Sequence, residues 1–321
     1  MLKYIIRRLI IMIPELFVIS FMVFMIMWAA PGDFLDQYRM DPSVSPEFLE
    51  ALEKELGLDK PPIVQYGIWL KNVLTGNFGY SFYYRRPVSD LIWSRVFATV
   101  ILSLSSFFFS WILGIIAGVF SALKKYSIWD KILTVVAFSG IAIPGFFLAL
   151  LLLYIAANTG WFPISGMVSI GHDQMSAWER FKDITWHLVL PTIALGFGSF
   201  ASLMRYMRGS LLDVLNEDYV MFARAKGLPE RMVIYKHALR NAINPMITFL
   251  GYSISGLLGG SVIIENIFAW PGMGRLVYQA LIQQDVYLVM ASAVISAVML
   301  VLGNLVADIL LAAVDPRVRL E

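Results

Sequence analysis

Residues 218–228 read Asp218-Tyr219-Val220-Met221-Phe222-Ala223-Arg224-Ala225-Lys226-Gly227-Leu228, and a basic run continues from there to Pro245. Long apolar segments lie on both sides of this polar, cationic stretch. We predict that it forms a structured helical hairpin over 209–243. A hairpin of this kind between hydrophobic segments is typical of a surface that binds a partner, and the alternative is an ordinary positively charged loop.

Glycine and proline divide the hairpin. Residues Leu211–Ala225 are compatible with a helix, and Gly227 supplies a left-handed stop after it. Pro229 is then expected as the first residue of a second helix, where its missing N–H has no cost.

The composition indicates an integral membrane protein. The 321 residues are 59% hydrophobic and 15% charged, with a mean hydropathy of +0.71, whereas soluble domains carry about 25% charged residues. A net charge of +2 gives no signal for nucleic acid. The chain has no cysteine, which excludes disulfides, thiolate zinc sites and cysteine nucleophiles. Three histidines far apart in sequence, His172, His187 and His237, do not predict a metal site.

Six apolar segments are long enough to cross a bilayer, which takes roughly 20 residues. They cover residues 9–30, 97–123, 131–157, 187–207, 244–268 and 286–313. The strand-like alternation of a membrane barrel is absent, so an all-α membrane fold is expected. The first segment is too long for a signal peptide and has no cleavage signal before Pro31, so it is interpreted as a retained span.

Lysine and arginine predict the orientation. Cations concentrate before the first span, between spans two and three, between spans four and five, and after the sixth. The loops 158–186 and 269–285 hold only Arg180, Lys182 and Arg275. Both termini and the hairpin are therefore expected on the cytoplasmic side.

The segment 31–96 is expected to be a structured extracytoplasmic region. Ser45 caps a helix that begins with a first-turn proline and ends at Gly57. A second amphipathic helix runs from Pro62 to Leu74, and a third from Pro87 leads into span two. The chain is thus divided into 1–30, 31–96 and a core transmembrane domain over 97–321, which includes the hairpin.

Small residues and acids inside the spans have alternative interpretations. Gly114 and Gly118 in span two either pack within this chain or form a seam with a partner subunit. For span five the seam with a partner subunit is favoured, with the small residues Gly251, Ser255 and Gly259. A secondary carrier could use intramembrane acids, and the candidates are Glu15, Glu265 and Asp308. Paired or interfacial carboxylates explain these acids better.

No enzyme is indicated. The sequence lacks a Gly-x-x-x-x-Gly-Lys-Ser/Thr phosphate loop, a His-Glu-x-x-His zinc motif and a Gly-x-Ser-x-Gly nucleophile motif. A membrane-bound enzyme would need a catalytic constellation that is not visible, so no catalytic or metal-binding residue is assigned.

The hairpin resembles the EAA loop of ABC-importer permeases, a segment that inserts a coupling helix into an ATPase subunit. Ala223, Gly227 and Leu239 fit that pattern, whereas Met221, Phe222 and Arg240 depart from it. The string Ala223–Leu228, followed by residues 237–242, is similar to one branch, the permeases of dipeptide, oligopeptide and nickel importers.

Other segments resemble the same branch in the expected order. They are Arg7-Arg8 with Pro14 and Pro31-Gly32-Asp33, residues 75–81 with Pro87-Val88, residues 160–163, His187–Pro191, Glu265–Leu276 and Asp315–Arg319. The long outer segment is similar to that of the B-type member of the permease pair.

The resemblance implies a type I ABC-importer membrane domain in a bacterial or archaeal cytoplasmic membrane. Its expected partners are a homologous permease, two ATPase subunits that bind ATP and Mg²⁺, and an extracytoplasmic solute-binding protein. Peptides, oligosaccharides and nickel complexes are the solutes of the branch. The expected ATPase-coupling residues are Ala223, Arg224, Ala225, Lys226, Gly227 and Leu228. An outer gate is expected at Glu265, Trp270, Pro271 and Gly272.

Overall fold

The computed structural model describes residues 2–29, 39, 45–57, 59–81, 83–246, 249 and 261–314, and these residues are mostly helical. They divide into two compact units. One unit comprises Leu2–Thr99 and Pro271–Val301, and the other comprises Val100–Trp270 and the chain from Leu302 onward. The division of the chain at residues 30 and 96 remains a prediction.

The elements up to the second long helix are α1 (Leu2–Ala29), α2 (Pro46–Leu56), α3 (Pro62–Leu74), the two-residue strands β1 (Tyr80–Ser81) and β2 (Arg86–Pro87), and α4 (Val88–Leu123). The strands pair antiparallel, with Tyr80 opposite Pro87. The third predicted outer helix and span two are therefore one continuous helix of 36 residues.

The middle of the chain contains α5 (Ile128–Ala142), α6 (Gly145–Thr159), a 3₁₀ turn (His172–Gln174) and α7 (Ala177–Leu215). The hairpin follows as α8 (Asp218–Ala225), α9 (Glu230–Met232), a π-helical turn (Val233–Ala238) and α10 (Leu239–Ala242). The last elements are α11 (Val262–Ile267), α12 (Met273–Ile282) and α13 (Val286–Val314).

Four described helices are long and apolar enough to cross a membrane, and they correspond to predicted spans one, two, four and six. The prediction of an unbroken third span was wrong, because α5 and α6 meet at an angle of 111°. The break includes Pro144, which has no N–H to continue the helical ladder. The predicted span 244–268 lies largely outside the described residues.

The predicted helix signals in the outer segment are confirmed. The Ser45 side chain accepts a hydrogen bond from the Phe48 N–H, and Gly57 ends α2 with a φ of 69°. The next helix, α3, packs on α1: the Tyr66 ring contacts aromatic residues of α1, and its hydroxyl lies 2.8 Å from Ser20 Oγ. Within the described residues of this segment, α3 is therefore packed against α1.

A buried carboxylate anchors the strand pair in the same unit. Asp285 accepts hydrogen bonds from the Ser81 hydroxyl at 2.6 Å and from the Tyr83 N–H at 3.3 Å. It also accepts from the Leu288 N–H in the first turn of α13. The Tyr84 hydroxyl adds a 2.7 Å hydrogen bond to Gln279. These contacts hold the strand pair against the α12–α13 turn.

Two glycines in α4 pack against α7. A Cβ built on Gly114 would meet the Cβ of Leu203 at 3.0 Å, and one built on Gly118 would meet the carbonyl oxygen of Met204 at 2.7 Å. Both glycines therefore permit close contact between helices of this chain. Of the two interpretations of this glycine pair, packing within the chain is the one observed.

Candidate functional site

The hairpin is built from short helices. Its first arm differs from the predicted helix Leu211–Ala225, because α7 ends at Leu215 and α8 begins at Asp218. The second arm begins at Glu230, with Pro229 as an extended cap residue rather than the first helical residue. The arm then widens into the π-helical turn before α10. Asn216 and Glu217 separate α8 from α7 and give the first arm its own direction.

Gly227 forms the corner between the two arms. Its φ is +75°, in the left-handed region that glycine adopts without a steric penalty. The Gly227 N–H donates to the Arg224 carbonyl, and the Leu228 N–H reaches back to the Ala223 carbonyl. The predicted left-handed stop is confirmed.

The inner face of the hairpin belongs to the core of its unit. Val220, Ala223, Val233, Ala238 and Ala242 are buried in one cluster. Long-helix residues complete that cluster, namely Trp111 and Ala122 of α4 and Leu203, Met207 and Leu211 of α7. Burial of these side chains stabilises the hairpin against the spans, since a fully buried valine, leucine or methionine side chain contributes about 1.5–3 kcal/mol and an alanine less. The hairpin is therefore fixed to two long helices.

Hydrogen bonds tie the arms together and to α7. The Ser210 hydroxyl of α7 donates to the Ala242 carbonyl at 2.8 Å. Asn241 Nδ2 donates to the Tyr219 hydroxyl at 2.8 Å, which links the start of the first arm to the end of the second. An exposed ion pair, Arg224 Nη2 to Glu230 Oε1 at 2.8 Å, spans the corner.

The outer face of the hairpin combines apolar and cationic side chains. Phe222 is 66% exposed, and Met221 and Tyr235 are also exposed. Five cations share this exposed surface: Arg224, Lys226, Arg231, Lys236 and Arg240. Exposed aromatic and arginine side chains give this face the composition of a protein-docking site, because both are enriched in such interfaces.

The predicted coupling residues divide between the two faces. Arg224, Ala225, Lys226 and Gly227 are exposed, whereas Ala223 is buried and Leu228 is partly buried. Ala223 can therefore contribute by packing the hairpin onto the spans and not by touching a partner. Sequence reasoning did not identify Phe222 and Met221 as large apolar side chains exposed on the hairpin. The helical period contained the signal, because inward-facing Val220 and Ala223 leave 221 and 222 facing outward.

The predicted gate turn begins with a buried carboxylate. Glu265 is fully buried and accepts a 2.7 Å hydrogen bond from the Ser261 hydroxyl. The Trp270 ring is also fully buried, and the backbone N–H of Trp270 donates to the Glu265 carbonyl at 2.8 Å. Further along the chain, Pro271 is partly buried, and Gly272 is the extended residue before α12. The role of this turn as a gate remains a prediction.

Other predicted positions are less informative. Glu15 is exposed on α1. The side chain of Asp308 and the residues Gly251, Ser255 and Gly259 lie outside the described part of the structure. His172 and His187, distant in sequence, both contact the Asp183 carboxylate, at 2.7 and 3.3 Å. This cluster joins the 3₁₀ turn to α7.

Two family models match the chain. "Binding-protein-dependent transport system inner membrane component" covers residues 114–320, and the N-terminal model of the same type of membrane component covers residues 1–105. The first match includes the whole hairpin and the predicted gate turn. The second includes α1 and the outer segment.

Bacterial permeases are similar to this chain along their whole length. The oligopeptide transport system permease protein AppB of Bacillus subtilis (strain 168) is 43% identical over 320 residues, 99% of each chain. The glutathione transport system permease protein GsiC of Escherichia coli (strain K12) is 37% identical with the same coverage. A putative peptide permease protein of Brucella suis biovar 1 (strain 1330) is 36% identical over 323 residues, again 99% of each chain.

Proposed function

The chain belongs to the family of binding-protein-dependent transport system inner membrane components, as a peptide-type ABC permease subunit, and from this premise we propose that it couples ATP hydrolysis in partner subunits to solute import. The proposed complex contains this chain, a homologous second permease, and two ATPase subunits that bind ATP and Mg²⁺. An extracytoplasmic binding protein delivers the solute. Both termini and the hairpin of this chain face the cytoplasm.

The hairpin is the observation that carries the proposal. It presents Phe222 and five cations to a partner while Val220, Ala223 and Val233 pack against α4 and α7. A partner that binds the outer face therefore acts directly on the long helices. Closure of the ATPase pair on ATP moves the hairpin and shifts the spans between two states.

Peptides are the proposed solutes. Relatives that cover the whole chain are named as oligopeptide and glutathione permeases. Oligosaccharides and nickel complexes are the alternatives, and the bound solute of the partner binding protein separates them. Family membership favours this importer over a secondary carrier that uses Glu265, whose carboxylate is held by Ser261.

The docking step can be tested with Phe222→Glu. A carboxylate at this position removes the exposed ring and adds a negative charge to the cationic face. The ATPase subunits are then expected to copurify at least roughly tenfold less, because loss of a central aromatic contact costs about 2 kcal/mol or more. Uptake by the reconstituted complex should fall in parallel.

Trp161→Glu is the matched control. Trp161 is 72% exposed in the loop after α6, outside the hairpin, so the same replacement of an exposed ring there should leave the ATPase subunits bound. Undiminished copurification of Phe222→Glu would contradict docking at this face. Uptake driven by a proton or sodium gradient, with this chain alone in vesicles, would support the carrier instead.

A further inference from the structure

We infer that the ion pair between Asp130 and Arg208 is a mechanical joint, which makes the corner between α4 and α5 move as one body with α7 and the hairpin. Asp130 and Arg208 are thus positioning residues, which act on transport through the helices they connect. The inference rests on the proposed function of the hairpin.

The geometry of the pair is bidentate. Arg208 Nε lies 2.8 Å from Oδ1 of Asp130, and Arg208 Nη2 lies 2.9 Å from Oδ2. The Ser121 hydroxyl also donates to Asp130, and the Tyr126 N–H donates to Oδ2 at 2.9 Å. Arg208 Nε further contacts Ser121 Oγ at 3.1 Å. Two parallel N–H···O bonds fix the orientation of both partners as well as their distance.

The environment of the pair favours a positional role. The Asp130 side chain is 4% exposed and that of Arg208 is 26% exposed. Removing charges from water offsets most of the attraction, so a buried ion pair is weak evidence for a stabilising role. What the ion pair fixes is the relative orientation of the helices that carry it. It joins three helices at one point, through Ser121 of α4, Asp130 of α5 and Arg208 of α7.

The joint lies next to the hairpin. Arg208 is about two helical turns before α7 ends at Leu215. Ser210, two residues after Arg208, holds the returning arm through the Ala242 carbonyl. The backbone of α4 also lies against that of α7 here, since a Cβ built on Gly118 would lie 3.2 Å from the backbone nitrogen of Arg208. Displacement of the hairpin therefore reaches the α4–α5 corner without an intervening flexible segment.

The rigid body has natural ends at two prolines. Pro144 lies in the break where α5 and α6 bend by 111°. Pro191 lies inside α7 and cannot donate to the carbonyl four residues earlier. Between these prolines and the hairpin, contacts are close, as at Gly140, where an added Cβ would meet that of Ala201 at 2.7 Å. We expect bending at the prolines and none at the joint.

Coupling efficiency tests this role. In the reconstituted complex, Asp130→Asn should lower the solute imported per ATP hydrolysed by roughly fivefold or more, the lower range of typical coupling between two sites. ATP hydrolysis should continue. Arg208→Lys keeps the charge, loses the bidentate contact and should give a smaller loss. Glu50→Gln, which breaks an exposed ion pair with Lys54 in α2, is the control and should change nothing.

A distance measurement separates a joint from a purely stabilising contact. The chain has no cysteine, so spin labels can be placed at Lys125→Cys in the corner and at Glu217→Cys at the start of the hairpin, both exposed. In complexes with Asp130 intact, the distance between the two labels should be equal in the nucleotide-free and ATP-trapped states. With Asp130→Asn, the distance should shift or broaden on ATP binding.

Two results would overturn the inference: a label distance that changes with ATP while Asp130 is intact, or an Asp130→Asn complex that keeps both its label distance and its import per ATP. A different result would refute the proposed function, namely import by the wild-type complex that does not depend on ATP. The readouts are therefore independent. Only folded, fully assembled complexes are compared, so a variant that fails to fold does not enter the measurement.

Discussion

Gly118 of α4 lies so close to Met207 of α7 that a Cβ built on the glycine would come within 2.7 Å of the Met207 Cβ. The same added atom would also lie 2.7 Å from the Met204 carbonyl oxygen, which belongs to the backbone. The two long helices are therefore in main-chain contact beside the joint.

Gly118→Ala should destabilise the protein, because the methyl group has no space and a carbonyl cannot move aside as a flexible side chain would. Overpacking of this kind costs about 1–3 kcal/mol. Thermal unfolding in detergent measures the effect. Gly209→Ala is the control: Gly209 lies in α7 with no atom within 4 Å of an added Cβ, and its replacement should be neutral or stabilising.

Gly227→Ala should weaken the hairpin corner, although an added Cβ meets no atom within 4 Å. The cost is conformational, about 1–2 kcal/mol for an alanine held at a φ of +75°. Amide hydrogen exchange over 218–242 should therefore accelerate. Gly227→Asn should lose less protection, since asparagine tolerates this region better. Equal protection in all three proteins would show that the corner does not need the left-handed geometry.

Asp285→Ala should loosen the strand pair, because it leaves the Ser81 hydroxyl and the Tyr83 N–H without their acceptor. Each buried unsatisfied donor costs about 1–3 kcal/mol. Protease sensitivity of the 80–87 segment is the measurement. Asp90→Ala, on an exposed residue that accepts a hydrogen bond from the neighbouring Ser89, should leave the cleavage pattern unchanged.

Arg224→Glu should hardly change stability, because the ion pair with Glu230 is exposed on both sides and such pairs contribute about 0–1 kcal/mol. It should slow ATPase association and alter its salt dependence, since exposed interface charges act mainly on the rate of encounter. Surface plasmon resonance at two ionic strengths measures both effects. An Arg224→Glu/Glu230→Arg double variant restores the pair; if it also restored the rate, the net charge of the corner and not Arg224 would govern association.

The sequence was sufficient to predict the helical membrane fold because hydropathy and helix-end signals are local. Ser45, Gly57 and Gly227 act within a few residues of their own position, and each lies where the structure needs it. Averaged hydropathy cannot detect a bend, because residues around Pro144 remain apolar through the turn. The predicted third span therefore missed the 111° break.

The joint could not be predicted for a different reason. Arg208 belongs to a run of cations whose number alone predicts orientation, and nothing local distinguishes it from Arg205. Its partner Asp130 is 78 residues away and is brought to it by the packing of α5 on α7. The helical period separates Val220 and Ala223 from residues 221 and 222. Which of the two faces lies inward could not be predicted, because it depends on the core of α4 and α7 beside the hairpin.

The π-helical turn Val233–Ala238 determines which way the side chains after it face around the helix axis. A wide turn holds one residue more than an α-helical turn, and one residue corresponds to about 100° of rotation. Ala238 and Ala242 are thereby directed inward, as their burial shows. Deleting one uncharged residue of this turn would preserve the net charge yet rotate the residues of α10 that follow it by more than a quarter of a revolution.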